Sequence, residues 1–218
     1  MAVPLLNLIT VIMEFASSFI SFIIGYYALK AYRATSARGL FLLYWGFIIL
    51  GVGTFLRVFT ATYINVMIGH QARAQLVSLI NLVALIYSIT QLVAYSLFVV
   101  TYVFQSRLTG EKVAVTGTVV AAAAAVFPIY RLFFIPWLEL VAVTMLAFVV
   151  VSTFMNWHLR KSSESALVLL GFGLMLLSHV FFLFLPLDEL LLFVGEVTQL
   201  AGFLCLSVML AKVSRTHE

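Results

Sequence analysis

Seven long runs of apolar residues, separated by short polar stretches, follow one another along the chain. Each run is about as long as the ~20 residues that a helix needs to cross the hydrocarbon of a bilayer. The runs are continuous and lack the alternation of apolar and polar positions that the strands of a membrane barrel require. The pattern therefore predicts seven transmembrane helices, over residues 8–30, 40–61, 77–102, 113–134, 137–157, 166–185 and 190–211.

The composition supports the same class of protein. Of 218 residues, 64% are apolar and only 9% are charged, whereas soluble domains carry roughly 25% charged residues. The mean hydropathy is +1.18. The first run begins at Val3 without a preceding basic segment, so we expect a span and not a cleaved signal. The sequence thus predicts an all-α integral membrane protein, a multi-pass protein of the cell membrane whose residues 1–218 form a single membrane domain.

Lysine and arginine are distributed unevenly between the two sides that seven spans would define. Basic residues near span ends stay on the cytoplasmic side of a membrane. We therefore predict that the N-terminus is outside and the C-terminus is cytoplasmic, with an inner group of nine basic residues, Lys30, Arg33, Arg38, Arg107, Lys112, Arg160, Lys161, Lys212 and Arg215, and an outer group of three, Arg57, Arg73 and Arg131. This inner excess accounts for the net charge of +4, so we expect no nucleic-acid partner.

Residues of the first spans recur later in the chain at constant offsets, as in transporters built from duplicated helix sets. The matches are Glu14 with Glu139, Tyr32 with Trp157, Gly46–Phe47 with Gly171–Phe172 and Gly53 with Ser178 at an offset of 125, and Thr90–Leu92 with Thr198–Leu200 at 108. They predict a 3+1+3 chain with a first three-helix unit at 1–107, a linker helix at 108–135 and a second unit at 136–218. Because the linker helix crosses the membrane once more, both three-helix units begin on the same side, and the repeat is parallel. The alternative is chance similarity between apolar sequences.

The predicted 3+1+3 architecture is similar to that of the SWEET and PQ-loop transporters, which move sugars or amino acids through a site between two triple-helix units. The resemblance is one of architecture. The Pro-Gln dipeptide of the PQ-loop group does not occur here, and no site residue is carried over. Seven helices with an outside N-terminus also resemble opsins. The seventh span, however, has no lysine near its centre to form a Schiff base with retinal.

Ionisable and amide side chains inside the spans are the candidate ligand-binding residues, because such groups are costly in a membrane and usually functional. Counting 1.5 Å per residue puts most of them in the outer half of the bilayer and two glutamines near its midplane, which predicts a polar cavity that opens outward. The outer group is Glu14, Arg57, Glu139, His179 and Glu196, and the midplane pair is Gln91 and Gln199.

Two pairs of these residues are predicted to interact. Glu14 and Arg57 have similar depth on adjacent helices, so we expect an ion pair. In the second unit Glu139 and His179 take their place, and a carboxylate beside an imidazole can exchange protons near neutral pH. The alternative interpretation is structural, with the pairs and the glutamines only holding helices together.

Several chemistries lack the residues that they need. A haem between helices normally has two buried axial ligands, but His179 is the only histidine within a predicted span. The sequence contains no metalloprotease or serine-hydrolase motif and no clustered acidic metal site. Cys205 is the only cysteine, so no disulfide can form within one chain. We expect no catalytic residues, no metal and no cofactor, and hence no enzyme.

The function that these features favour is a transporter or carrier for a small polar solute, with its site between the two units. One alternative is a seven-helix sensory or ligand-binding membrane module, and another is a non-catalytic subunit of a larger membrane complex. The expected partners are the lipid bilayer, a small polar ligand, and either further copies of the chain or another membrane protein.

Overall fold

The computed structural model describes residues 2–67, 73–108, 135–185, 188 and 190–216, nearly all of which are helical. The six described helices are α1 (Ala2–Thr35), α2 (Arg38–Met67), α3 (Arg73–Leu108), α4 (Ile135–Arg160), α5 (Ser163–Leu183) and α6 (Leu190–Thr216). Each is long and apolar enough to cross a membrane. The prediction of a helical multi-pass membrane protein is confirmed, and the fourth predicted span lies outside the described residues.

The turns between helices are shorter than the polar stretches of the sequence predict. α1 runs to Thr35, well beyond the predicted end at residue 30, and only two residues separate it from α2. Ser36 has a φ of 55° and donates its backbone N–H to the carbonyl of Tyr32 at 2.7 Å. Lys161 ends α4 in the same way, with a φ of 48° and a bond of 2.7 Å to Trp157. A single left-handed residue thus stops each helix, and the charged residues before it remain helical.

The described helices pack as a closed ring in chain order, because each contacts its sequence neighbours and α1 also contacts α6. Serine side chains fix the first pair. Ser18 donates to the carbonyl of Gly51 at 2.9 Å, and Ser21 donates to that of Phe47 at 3.1 Å. Since the later serine meets the earlier carbonyl, α1 and α2 are antiparallel. We call α1–α3 the N-terminal set and α4–α6 the C-terminal set.

A layer of aromatic rings fills the centre of the ring, where the two sets meet. Phe47 of α2 lies 4.7 Å from Phe98 of α3 and 6.4 Å from Phe203 of α6, measured between ring centroids. Phe98 in turn lies 5.5 Å from Phe172 of α5. The contacts of Phe47 with Phe203 and of Phe98 with Phe172 join helices that are not sequence neighbours, so the rings form a core that both sets share. We call these four rings the aromatic layer.

The outer faces of the helices are apolar, as contact with lipid requires. At most 39% of the residues in any span are buried. Large apolar side chains are exposed on this surface, including Phe59 and Val151 at 59% and 55% of their full area. The described helices therefore present the surface expected of a protein in a lipid bilayer.

Small residues let α5 and α6 approach backbone to backbone. A Cβ added at Gly202 would lie 2.8 Å from the carbonyl oxygen of Gly171, and one added at Gly171 would lie 2.6 Å from the side chain of Leu206. Both distances are shorter than van der Waals contact, so the neighbouring atoms would have to move to make room for the Cβ. Close approach through small residues is a common means of helix packing in membranes.

We expect Gly171→Ala to destabilise the fold and Gly173→Ala to leave it unchanged or slightly more stable. Overpacking costs about 1–3 kcal/mol, which outweighs the gain of about 1 kcal/mol in helix propensity. At Gly173 no described atom lies within 4 Å of an added Cβ, so only the gain remains. Thermal unfolding of the two variants in detergent tests this difference. Equal unfolding temperatures would show that the helices separate without cost.

Candidate functional site

One guanidinium connects three helices. Nη2 of Arg57, on α2, lies 2.7 Å from Oε1 of Glu14 on α1 and 2.9 Å from Oε1 of Glu196 on α6. The predicted ion pair between Glu14 and Arg57 is confirmed. Glu196 joins it because the closure of the ring brings α6 against α1. We call these three residues the arginine clamp.

The arginine clamp does not satisfy all of its own polar atoms. Glu196 is completely buried, and its second carboxylate oxygen, Oε2, has no hydrogen-bond partner among the described residues. The Nε of Arg57 is also buried and unpartnered there. Two carboxylates and one guanidinium carry a net charge of −1 when all are ionised. The fully ionised clamp would therefore place one uncompensated negative charge inside an apolar bundle.

Tyr87 of α3 supports the guanidinium from one face. The Arg57 guanidinium carbon lies 4.2 Å from the centroid of the Tyr87 ring, which is a favourable cation–π distance. Gln91, one turn further along α3, donates from Nε2 to the Tyr87 hydroxyl at 2.7 Å. The glutamine thus holds the ring in place, and α3 becomes the fourth helix around Arg57.

A second polar group lies in the C-terminal set and reaches into the N-terminal one. Nδ1 of His179, on α5, lies 2.6 Å from Oε2 of Glu139 on α4, and its Nε2 lies 2.5 Å from the Tyr95 hydroxyl on α3. The predicted Glu139–His179 contact is confirmed. With a neutral ring protonated on Nδ1, His179 donates to the carboxylate and Tyr95 donates to Nε2, which satisfies every nitrogen. We call this group the histidine chain.

A half-open cavity of about 280 Å³ lies between the two sets and adjoins both groups. Its polar wall includes Arg57, Tyr87 and Glu139, and Glu139 keeps 14% of its side chain exposed. The rest of the wall is mostly apolar. The full lining is Arg57, Thr60, Ala61, Val83, Ala84, Tyr87, Ser88, Glu139, Phe182, Leu185 and Leu192.

The aromatic layer lies well away from this cavity along the helices. Phe47 is ten residues from Arg57, and Phe203 is seven from Glu196, which is roughly 10–15 Å at 1.5 Å per residue. The end of the bundle that holds the cavity, the cavity end, is thus polar, and packed aromatic rings fill the centre beyond it.

The predicted site residues take three kinds of position. Arg57 and Glu139 line the cavity. Glu14, Glu196 and His179 are each bonded to one of those two side chains. Gln91 bonds to Tyr87, and Gln199 is buried on α6 at 3% exposure, one turn from Glu196. Contact of these seven residues with a ligand remains a prediction.

Two tyrosines of these groups are missing from the set predicted as ligand-binding. Tyr87 lies four residues before Gln91 and Tyr95 lies four residues after it, so all three share one face of α3. That spacing was a usable signal. It was weak, because aromatic residues are frequent throughout the chain and usually belong to the apolar core.

Among the described residues no group of three or more His, Cys, Asp or Glu side chains could hold a metal ion. Comparison of the chain with protein-family models, with curated proteins and with solved structures gives no match. The contacts described above therefore carry the functional argument.

We expect Arg57→Met to destabilise the protein by about 3 kcal/mol, because it leaves two carboxylates facing each other without a counter-charge. Combining it with Glu14→Gln and Glu196→Gln should recover most of that loss. Denaturant unfolding in detergent measures both effects.

Arg33→Met is the matched control, since Arg33 is exposed near the end of α1. It should change the unfolding free energy by less than about 0.5 kcal/mol. If Arg57→Met is as mild as this control, the clamp contributes nothing to stability.

Proposed function

We propose that the protein is a non-enzymatic membrane transporter or carrier for a small polar solute, and that the cavity between the two helix sets is its binding site. The observation that carries the proposal is the shared wall of this cavity. Arg57 and Tyr87 come from the N-terminal set, whereas Glu139, Phe182 and Leu192 come from the C-terminal set. A site built from both sets changes shape when one set moves against the other, which is the usual basis of alternating access.

The contacts support the proposed parallel repeat. The left-handed residues Ser36 and Lys161 are 125 positions apart, and so are Tyr32 and Trp157, to which they bond. The same offset relates the two carboxylates, Glu14 and Glu139, and each is paired with a basic residue on the next helix of its own set.

Packing around the glycines repeats as well. A Cβ at Gly46 would collide with Phe98, and one at Gly171 would collide with Leu206. The glycines differ by 125 positions and their partners by 108, which are the two offsets of the sequence matches. Equivalent contacts at both offsets favour a duplication over chance similarity between apolar segments.

The direction of the helices supports seven spans. Glu139 lies near the start of α4, and Ala61 lies near the end of α2, yet both line the cavity. Since α3 follows α2 and contributes Val83 to the same wall, α3 and α4 both begin at the cavity end. A chain that leaves α3 at the opposite end needs one more crossing before α4, which is what the proposed linker span over 113–134 supplies.

Accessible cysteines would test this topology in a Cys205→Ser background. Seven spans with the N-terminus outside predict that Ala37→Cys and Ser163→Cys resist a membrane-impermeant maleimide in intact cells, whereas Asp188→Cys reacts. All three positions are exposed. Labelling of Ala37→Cys and Ser163→Cys from opposite sides would mean that the chain between α3 and α4 does not cross.

Uptake into proteoliposomes tests transport itself. With a panel of labelled amines, amino acids and sugars, we expect at least one solute to enter faster than into protein-free vesicles. Glu139→Gln should slow that uptake by about tenfold or more, the effect of losing a hydrogen bond to a charged group.

Glu164→Gln makes the same substitution at a half-buried carboxylate near the start of α5, away from the cavity wall. It should leave uptake unchanged. If no solute enters, transport is contradicted, and binding of a panel member without uptake would indicate the sensory module instead.

A further inference from the structure

The charges around the cavity define which ligands it can hold. Three carboxylates adjoin it, directly or through Arg57, and Arg57 is the one fixed cation that opposes them among the residues that the structure describes. Arg57 already contacts two of these carboxylates through the same nitrogen, so its charge is not free to attract an anion. The remaining carboxylate, Glu139, is held by Nδ1 of His179 and keeps 14% of its side chain exposed at the cavity.

An excess of negative charge in an apolar bundle is unfavourable unless a cation compensates it or a carboxylate takes up a proton. The wall therefore favours a positively charged ligand over an anionic one. Arg57 is already paired with two carboxylates, which makes its guanidinium a poor receptor for an anion.

The apolar part of the cavity wall further limits the class of ligand that can bind. Phe182, Leu185 and Leu192 form one side of the cavity, and Val83 and Ala84 contribute to another. A hydrated inorganic ion gains nothing from such surfaces, whereas an alkyl or aryl group does. The volume of about 280 Å³ lies just below the roughly 300–1,000 Å³ of ordinary small-molecule sites, so the ligand is small.

We propose that the cavity binds a small organic cation, an amine whose ammonium group meets the Glu139 carboxylate while its hydrocarbon part packs against Phe182, Leu185 and Leu192. This inference rests on the proposed function for its physiological meaning, but binding can be measured without transport. The ammonium donates to a carboxylate that His179 holds in position from behind.

Three probes of equal shape and different charge test the proposal: isobutylamine, isobutyrate and isobutanol. Thermal unfolding of the purified full chain is measured with each, in buffers matched for ionic strength with sodium chloride. We expect saturating isobutylamine to raise Tm by about 3 °C or more, and isobutyrate and isobutanol to leave it unchanged. Equal shifts with all three probes, or the same shift with sodium chloride alone, would overturn the assignment of an organic cation.

Two variants locate the binding. Glu139→Gln should weaken isobutylamine binding by about tenfold or more, whereas Glu164→Gln should bind as the wild type does. Ala61→Phe places a ring in the cavity without changing a charge and should also abolish the shift, which keeps the test decisive if Glu139→Gln does not fold. An undiminished shift in Ala61→Phe would place the amine elsewhere and refute the proposal.

The outcomes separate this inference from the proposed function. Amine binding that needs Glu139, without uptake of any solute, would retain the cation site and reject the transporter. Uptake of an anionic or neutral solute, without amine binding, would retain the transporter and reject the cation site.

Discussion

An isolated charge within a bilayer costs several kcal/mol, and the Arg57 guanidinium compensates two carboxylates from different helices at once. Glu14 comes from the first helix of the chain and Glu196 from the last described one. The contact therefore holds the two ends of the ring together at the point where no chain connection does so. Without it, α1 and α6 would bring two negative charges into the same apolar space, which would weaken the contact that closes the ring.

The histidine chain has the corresponding place on the other side of the bundle, with a different chemical character. Arg57 keeps its charge at any physiological pH, whereas His179 forms hydrogen bonds through both of its ring nitrogens. Each group extends from the second helix of one set to the third helix of the other. The two sets are thus connected by polar contacts near the cavity and by the aromatic layer further along the helices. The cavity lies in the space between the arginine clamp and the histidine chain.

Much of the fold follows from the sequence, because a helix that crosses the hydrocarbon of a bilayer needs about 20 apolar residues. Apolar runs of the required length predicted all six described helices, with most ends within a few residues. The ends of α1, α2, α3 and α6 lie five or six residues beyond the predicted ends. In α1 this extension contains charged residues such as Arg33, whose long side chain can extend to water from a helix end. Depth along the helices was also enough to predict the contacts of Glu14 with Arg57 and of Glu139 with His179. Ring closure was not predictable, since nothing in the apolar pattern says that α6 packs against α1, and the place of Glu196 in the clamp depends on that contact.

The ring also has a consequence for how such a chain can be assembled. A set of three helices begins and ends on opposite faces of the membrane, so two separate copies inserted in the same direction can meet around a two-fold axis and close a ring of six. If one chain carries both sets in the same direction, as the proposed parallel repeat requires, a segment that crosses the membrane between them becomes necessary. In a symmetric pair of identical chains each residue occupies two equivalent positions. An arginine on one side of the ring would therefore require an arginine on the other. A single chain is free of that restriction, and it can keep a permanent charge at Arg57 while placing a titratable imidazole on the opposite side at His179.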